Sequence, residues 1–248
     1  MGKRGVGVGT VLRNILGNVV LVELLLVFLF TTIFVRPTRL ISLYKWNIRR
    51  MVEAFGLRVK VVGAERLAPG RPYLLMCNHI SRFDHFILLG YLPGAMVGLE
   101  KIETLKMPAY GWAARRWGQV HVDRDDHASG LAACAEIERR FTRGSRVVIF
   151  PEGTRTRDGR LRLFKKGGFH IATGLSAEVV PLTLGGLYAL APRGSLLIRG
   201  GPVTLTVGEP LRPAGEGGEA REALAMAVRG AMLSTLDQAE GYDHPPFG

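Results

Sequence analysis

Two apolar runs that each end in a polar loop constrain the fold of this chain more than any other feature. Residues 73–77 lead into the loop 78–84, and residues 147–150 lead into the loop 151–155. Short apolar runs bounded by turn residues predict buried strands. An open α/β sheet places its site at the carboxyl ends of its strands, so we expect these two loops to lie close together.

The first loop carries an imidazole and a carboxylate, His79 and Asp84, five positions apart. A carboxylate bound to one ring nitrogen fixes the tautomer and leaves the other nitrogen free to take a proton, which predicts a positioned general base. Ser81 and Asp84 also have the spacing of a capping box, in which both side chains bind free amides at a helix start. Spacing alone favours the capping box, because such boxes are common.

The second loop is bent by Pro151 and Gly153, and basic residues follow it. These residues are Arg155, Arg157, Arg160, Arg162, Lys165 and Lys166. A guanidinium group binds phosphate with two parallel hydrogen bonds, so one loop offers a base and the other a phosphate site. Two glycines after Lys166 open a short predicted helix through about residue 173. Its lysines are either an anion cradle or a solvated flank.

Together these residues resemble the glycerolipid acyltransferase family, and within it the bacterial 1-acylglycerol-3-phosphate acyltransferases. The first family motif is matched by Asn78, His79, Ser81 and Asp84, and the third by every residue from 150 to 155. Residues 118–124 and 179–182 look like the second and fourth motifs, although His121 stands where an apolar residue is usual. The resemblance covers roughly residues 57–210.

The resemblance implies direct acyl transfer from a thioester, either acyl-CoA or acyl carrier protein, to the sn-2 hydroxyl of lysophosphatidic acid. His79 is then the base, Asp84 orients it, and Asn78 and Ser81 support the loop. The residues expected to bind the acceptor are Arg124, Glu152, Gly153, Thr154, Arg155, Lys165 and Lys166. No metal and no cofactor beyond the acyl carrier is implied.

Other functions compete with this interpretation. Glycerol-3-phosphate or another lysolipid is the near alternative acceptor. A non-enzymatic module that binds anionic lipid is the distant one, although lipid binding needs no positioned base. Metal-assisted hydrolysis lacks a convincing ligand set, and we interpret residues 123–126 as a cap for a helix over 127–141 rather than a cation site. Cys77 ends an apolar strand, which predicts a buried thiol rather than a nucleophile.

The net charge of +12 is concentrated in residues 36–60 and 143–166, each of which carries +6. Neither segment belongs to a recognisable nucleic-acid module. An anionic membrane surface and a phosphate-bearing substrate therefore fit better than nucleic acid. The two cysteines show no pairing pattern, which predicts a reducing, cytosolic setting.

Residues 1–56 predict a membrane anchor of two helices ahead of a catalytic domain over 57–248. Residues 19–35 are apolar apart from Glu23, Thr31 and Thr32. As a helix they span roughly 25 Å, the lower limit for crossing a hydrocarbon core of about 30 Å. Basic residues flank the helix on both sides, so the positive-inside rule does not decide between a helix that spans the bilayer and one that enters one leaflet. No small-residue cleavage pattern follows it, which argues against a signal peptide. We expect the cytoplasmic face of the cell membrane.

Residues 38–55 predict a second helix that lies at the membrane interface. Its apolar stripe consists of Leu40, Tyr44, Ile48, Met51 and Phe55. The alternative is an ordinary amphipathic helix packed on the domain.

For the domain we expect an α/β fold, with a mixed, mostly parallel sheet of about seven strands between helices. Besides the two strands above, strands are predicted at 57–61, 95–99, 178–184, 195–199 and 203–207. Further helices are predicted at 105–117 and 219–238.

Overall fold

A central sheet with helices on both faces follows an N-terminal pair of helices. The computed structural model describes residues 7–123, 125–236 and 247. The helices are α1 Val8–Phe34, α2 Ile41–Ala54, α3 Asp84–Tyr91, α4 Pro108–Trp117, α5 His127–Thr142, α6 Lys166–Gly174, α7 Leu187–Leu190 and α8 Gly217–Thr235. The strands are β1 Leu57–Val62, β2 Leu74–Cys77, β3 Met96–Lys101, β4 Val120–Val122, β5 Arg146–Ile149, β6 Val179–Gly185 and β7 Gly201–Val207.

The strand order is β1-β7-β6-β2-β5-β3-β4, which confirms the mixed, mostly parallel seven-stranded sheet. Among these seven strands of the described residues, β6 and β7 pair antiparallel and the other neighbours pair parallel. The central strand β2 lies between β5 and β6, and Met76 is opposite Ile149 and Pro181. The loops that follow β2 and β5 therefore leave the sheet side by side.

The sheet separates two apolar cores because successive side chains of a strand point to opposite faces. Leu75 and Val148 belong to the core that contains residues of α1, α2 and α3. Leu74 and Val147 belong to the core of α5, α6 and α8. Burial on both faces explains why these strands read as continuous apolar runs rather than alternating ones.

Two strand predictions differ from the structure. Residues 195–199 are not a strand, because the side chain of Asn14 in α1 takes the place of a neighbouring strand. Its Oδ1 accepts from the Ile198 amide at 2.9 Å and its Nδ2 donates to the Ile198 carbonyl at 2.8 Å. The short strand β4 was missed, since three residues centred on His121 make no recognisable apolar run.

The N-terminal helices are attached to the domain along their length. Phe28 of α1 lies 4.9 Å from the Tyr44 ring of α2, and both rings lie 5.8 Å from Trp117 of α4. The Thr31 hydroxyl and the Tyr44 hydroxyl are 2.7 Å apart. Glu23 forms an ion pair with Arg50 at 2.9 Å. The two helices thus form one packed unit with α4.

The apolar stripe of α2 does not face solvent in this structure. Tyr44, Ile48, Met51 and Phe55 are buried, as expected for an amphipathic helix packed on the domain. The exposed apolar surface of this region belongs mainly to α1, the one helix among the described residues that is long and apolar enough to cross a membrane. Its exposed apolar residues include Val11, Leu12, Ile15, Leu16, Val19, Val22, Leu26, Phe30 and Ile33.

We expect Asn14→Ala to lower the free energy of unfolding by about 2–4 kcal/mol, because it leaves the buried amide and carbonyl of Ile198 without their partner. Asn18→Ala is the matched control, since that exposed side chain bonds only within α1, to the Asn14 carbonyl. Urea unfolding in detergent micelles measures both variants. Equal effects of the two substitutions would contradict this role of Asn14.

Candidate active site

The imidazole of His79 and the carboxylate of Asp84 form a direct pair. His79 Nδ1 lies 2.7 Å from Asp84 Oδ2. The His79 side chain is 13% exposed and that of Asp84 is fully buried. A substrate can therefore reach the ring, while its orienting partner is shielded from water.

The same carboxylate also binds the backbone at the start of α3. Asp84 Oδ2 accepts from the amide of Ile80 at 2.7 Å, and Oδ1 accepts from that of Ser81 at 2.9 Å. The Ser81 hydroxyl accepts from the Phe83 amide at 3.4 Å, a long bond that supports the turn. Asp84 therefore pairs with His79 and binds the amides of the turn at once, while the N-cap residue of α3, Phe83, has no side-chain cap bond.

The N–H donors around Asp84 favour its charged form, while burial opposes it. Burial is the larger effect and raises the pKa of Asp84, against the hydrogen bonds from His79 and from the amides of Ser81 and Ile80. Its oxygens hold the Nδ1 side of the imidazole at a fixed distance. This arrangement leaves Nε2 as the nitrogen that can take a proton from a substrate.

Phe150 and His85 fix the plane of the His79 ring. Phe150 stacks on His79 with ring centroids 4.1 Å apart, and His85 contacts Phe150 edge-on at 4.8 Å. Burial lowers the pKa of His85 to about 3, and repulsion by His79 and Arg155 adds to the shift. His85 is therefore a neutral packing partner.

Glu152 joins the two loops through a buried carboxylate. Its Oε1 accepts from the His79 amide at 2.6 Å and its Oε2 accepts from the Arg162 amide at 2.9 Å. The Thr156 amide donates to the His79 carbonyl at 2.8 Å. Both carboxylate oxygens of Glu152 thus order the two loops, and its contact with the acceptor stays a prediction.

Asn78 connects the loop 78–84 to the neighbouring strand β6. Its Oδ1 accepts from the Leu184 amide at 2.8 Å, and its Nδ2 donates to the Leu184 carbonyl at 3.3 Å. The adjacent Cys77 is buried, and burial raises the pKa of its thiol. These observations agree with a supporting role for Asn78 and with a thiol that does not act as a nucleophile.

The loop 151–155 presents Thr154 and Arg155 at partly exposed positions beside this pair. Gly153 has a φ of +68°, and a side chain there would press on Lys165 at 3.3 Å. The tight approach places Lys165 next to the loop. Arg193, which was not predicted as a site residue, also reaches the loop, with Nη1 3.5 Å from Thr154 Oγ1 and 3.4 Å from the Arg155 carbonyl.

The other predicted residues are placed differently. The Lys166 amine lies 5.7 Å from the Phe247 ring, and no contact with the loop 151–155 is seen for it among the described residues. Arg124 lies outside the described residues. Asp126 caps α5 by accepting from the amides of Ala128 and Ser129, which confirms the predicted helix cap. No group of three or more metal-ligating side chains occurs in the described part of the chain.

The site thus combines a paired imidazole with a neighbouring loop that carries Arg155. Residues 58–185, more than half of the chain, match the pattern of the Acyltransferase family. The chain belongs to this family, as the motifs predicted.

Known relatives agree with this assignment. Human 1-acyl-sn-glycerol-3-phosphate acyltransferase alpha is 30% identical over 73% of this chain and 65% of its own length. A 1-acyl-sn-glycerol-3-phosphate acyltransferase of Chlamydomonas reinhardtii is 33% identical over 72% of this chain and 53% of its own. This chain thus spans between half and two thirds of the length of these relatives.

The fold also matches a solved structure. The 1-acyl-sn-glycerophosphate acyltransferase PlsC from Thermotoga maritima superposes with a TM-score of 0.75 over 94% of this chain and 98% of its own, at 23% identity. At this identity the match establishes the fold, including the N-terminal helices, because it covers nearly the whole of both chains.

The buried carboxylate of Glu152 predicts a specific pH dependence of stability. Burial raises its pKa from 4.5 to about 7, so the folded protein holds this proton more tightly than the unfolded chain. The resulting stabilisation, up to about 3 kcal/mol, is complete below about pH 4.5 and is lost as the pH rises through 7.

Glu152→Gln has no titrating group at this position and lacks this part of the pH dependence. Urea unfolding of both proteins between pH 4.5 and 8 measures the difference. We expect the wild-type free energy of unfolding to fall relative to that of the variant as the pH rises. Parallel curves would show that the Glu152 carboxyl is not protonated in the folded protein near neutrality.

Proposed function

We propose that the protein transfers an acyl group from a thioester to the sn-2 hydroxyl of lysophosphatidic acid and forms phosphatidic acid. The observation that carries the proposal is the His79–Asp84 pair, held at 2.7 Å beside the loop that bears Arg155. The printed names of the relatives, 1-acyl-sn-glycerol-3-phosphate acyltransferases, support the same reaction.

In this mechanism His79 acts as the general base. Nε2 removes the hydroxyl proton as the oxygen attacks the thioester carbonyl carbon, which contributes about 10²–10⁴-fold to the rate. The carbon–sulfur bond then breaks, and the thiolate takes the proton back from the imidazolium. Asp84 keeps Nδ1–H oriented and stabilises the cationic ring in between.

The transfer is direct, without a serine intermediate. Ser81 is 1% exposed and its hydroxyl accepts from the Phe83 amide, so it is not placed to attack a substrate carbonyl. Its role in this mechanism is to hold the turn in which His79 lies.

The loop 151–155 binds the phosphate of the acceptor. Arg155 supplies the guanidinium fork, Thr154 a hydroxyl and Gly153 a backbone that can approach closely. Lys165 adds charge from the edge of the loop, and from the family motifs we assign Arg124 to the same phosphate. Lys166 contributes to it only as part of the predicted anion cradle at the start of α6. Binding of the phosphate holds the acceptor hydroxyl near His79 and so converts an encounter between two molecules into an oriented reaction within one site.

The acyl donor is acyl-CoA or acyl carrier protein. Both carry the thioester on the same phosphopantetheine arm, and the proposed mechanism uses only that thioester. The steps above use no metal or redox group. His79 carries the proton from the attacking hydroxyl to the leaving thiolate, and the basic residues at the loop 151–155 balance the charge of the phosphate.

Residues 1–56 serve in this proposal as the membrane anchor of the catalytic domain, residues 57–248. The buried positions of α1 run from Asn14 to Thr32, so the domain covers one side of the helix along most of its length. A helix covered in this way enters one leaflet lengthwise rather than crossing the bilayer. The pairing of Glu23 with Arg50 lowers the cost of a carboxylate at the membrane surface. We assign the protein to the cytoplasmic face of the membrane, where acyl thioesters are made.

The test is acyl transfer from palmitoyl-CoA to lysophosphatidic acid in mixed micelles. We expect His79→Ala to lower kcat at least about 10²-fold, because the hydroxyl loses its base. Asp84→Asn, which keeps the shape but not the charge, should also lower kcat. His170→Ala is the matched control, since that histidine is exposed on α6.

Full activity of His79→Ala would refute the mechanism. Turnover of glycerol-3-phosphate in place of lysophosphatidic acid would change the acceptor and leave the base assignment intact. Binding to anionic vesicles with no transfer from acyl-CoA or acyl carrier protein to either acceptor would favour the non-enzymatic lipid-binding module.

A further inference from the structure

The segment between α7 and β7, residues 192–199, is here called the bridging loop. It exposes two adjacent leucines: Leu196 is 82% exposed and Leu197 is 37% exposed. Beside them, Val11, Ile15, Val19 and Val22 of α1 line an open, largely apolar groove of about 560 Å³. The two leucines thus continue the exposed apolar face of α1.

Side-chain hydrogen bonds fix the bridging loop at three places, to α1 and to the two loops of the site. Asn14 holds both backbone groups of Ile198. Arg82, within the loop 78–84, donates to the Leu196 carbonyl at 3.2 Å. Arg193 reaches Thr154 and the Arg155 carbonyl in the loop 151–155. The exposed leucines are therefore held in a defined position relative to both α1 and the site.

We propose that Leu196 and Leu197 insert into the same membrane leaflet as α1 and form a second membrane contact. This inference rests on the proposed anchoring by α1 and assigns the bridging loop as its partner. The bridging loop also contacts Thr154. Insertion of the two leucines therefore places the loop 151–155 at the depth of the lipid headgroups. A lysophospholipid then reaches the site with its phosphate at that depth and its acyl chain still in the leaflet.

The charges around the leucines favour a lipid surface over another protein as the occupant. The bridging loop itself contains two arginines and no acidic residue. Arg13 of α1 lies against Gly200 at the end of the loop, and Arg82 binds the loop from the other side. Apolar side chains surrounded by cations match the hydrocarbon and the anionic headgroups of a cytoplasmic leaflet.

A fluorophore on the bridging loop tests this placement directly. The full-length protein carries Cys134→Ser with Leu196→Cys, labelled with an environment-sensitive dye; the remaining Cys77 is buried. Vesicles contain phosphatidylcholine and phosphatidylglycerol. We expect a blue shift of the emission and quenching by lipids with a nitroxide on the acyl chain. Leu131→Cys, an equally simple change at an exposed leucine of α5, is the control and should stay in water.

Co-sedimentation with the same vesicles is measured first and separates the two proposals. Absence of vesicle binding would overturn the anchoring by α1 and this inference with it. Binding with an unshifted dye at position 196 would overturn this inference alone. A blue shift without vesicles that grows with protein concentration would assign the leucines to contact with a second copy, and would also overturn it.

A kinetic test uses Leu196→Ser together with Leu197→Ser. We expect the KM for lysophosphatidic acid presented in vesicles to rise about tenfold or more, because two side chains lose their burial in hydrocarbon. The kcat/KM for a short-chain, water-soluble acceptor should not change, which also shows that the variant is folded. Leu131→Ser is the matched control. Equal loss on both acceptors would assign the leucines to the site itself and refute the membrane contact.

Discussion

The arrangement of this site depends on one buried carboxylate that meets several demands at once. Asp84 binds the imidazole of His79 and the amides of Ile80 and Ser81. The backbone bonds define the turn between β2 and α3, and the side-chain bond orients the imidazole on that turn. A change at this position therefore alters the loop and the base together, so loss of activity alone would not separate the two roles of Asp84.

Much of this architecture could be predicted from the sequence. The strands β2 and β5 are buried on both faces, so each gives an uninterrupted apolar run that ends where the polar loop begins. The adjacency of the two loops follows from parallel strands that share an edge. The family motifs then assign chemistry to side chains that spacing alone would interpret differently, as at Asp84, where spacing favours a capping box and the motif indicates the partner of a base.

The remaining features depend on contacts between residues far apart in the chain. Ile198 lies in a segment with the composition of a strand, but its backbone bonds go to an asparagine 184 positions earlier. The apolar stripe of α2 has the pattern of a helix at a membrane interface. The same pattern is also found in a helix that is buried under another helix, as α2 is under α1. Arg193 was missed because a lone arginine after a proline has no local signature. Each of these features becomes visible only when the tertiary packing is known.

The packing of the N-terminal helices has a consequence for the stability of the domain that follows them. Met51 and Phe55 lie in one apolar core with Leu57 and other strand residues, so the N-terminal helices supply part of the hydrophobic core. A protease that cut the chain between α2 and β1 and removed the helices would uncover that apolar surface instead of releasing a working domain. If these helices anchor the protein as proposed, anchoring and folding depend on the same residues, and we expect cleavage to unfold the domain rather than to release it.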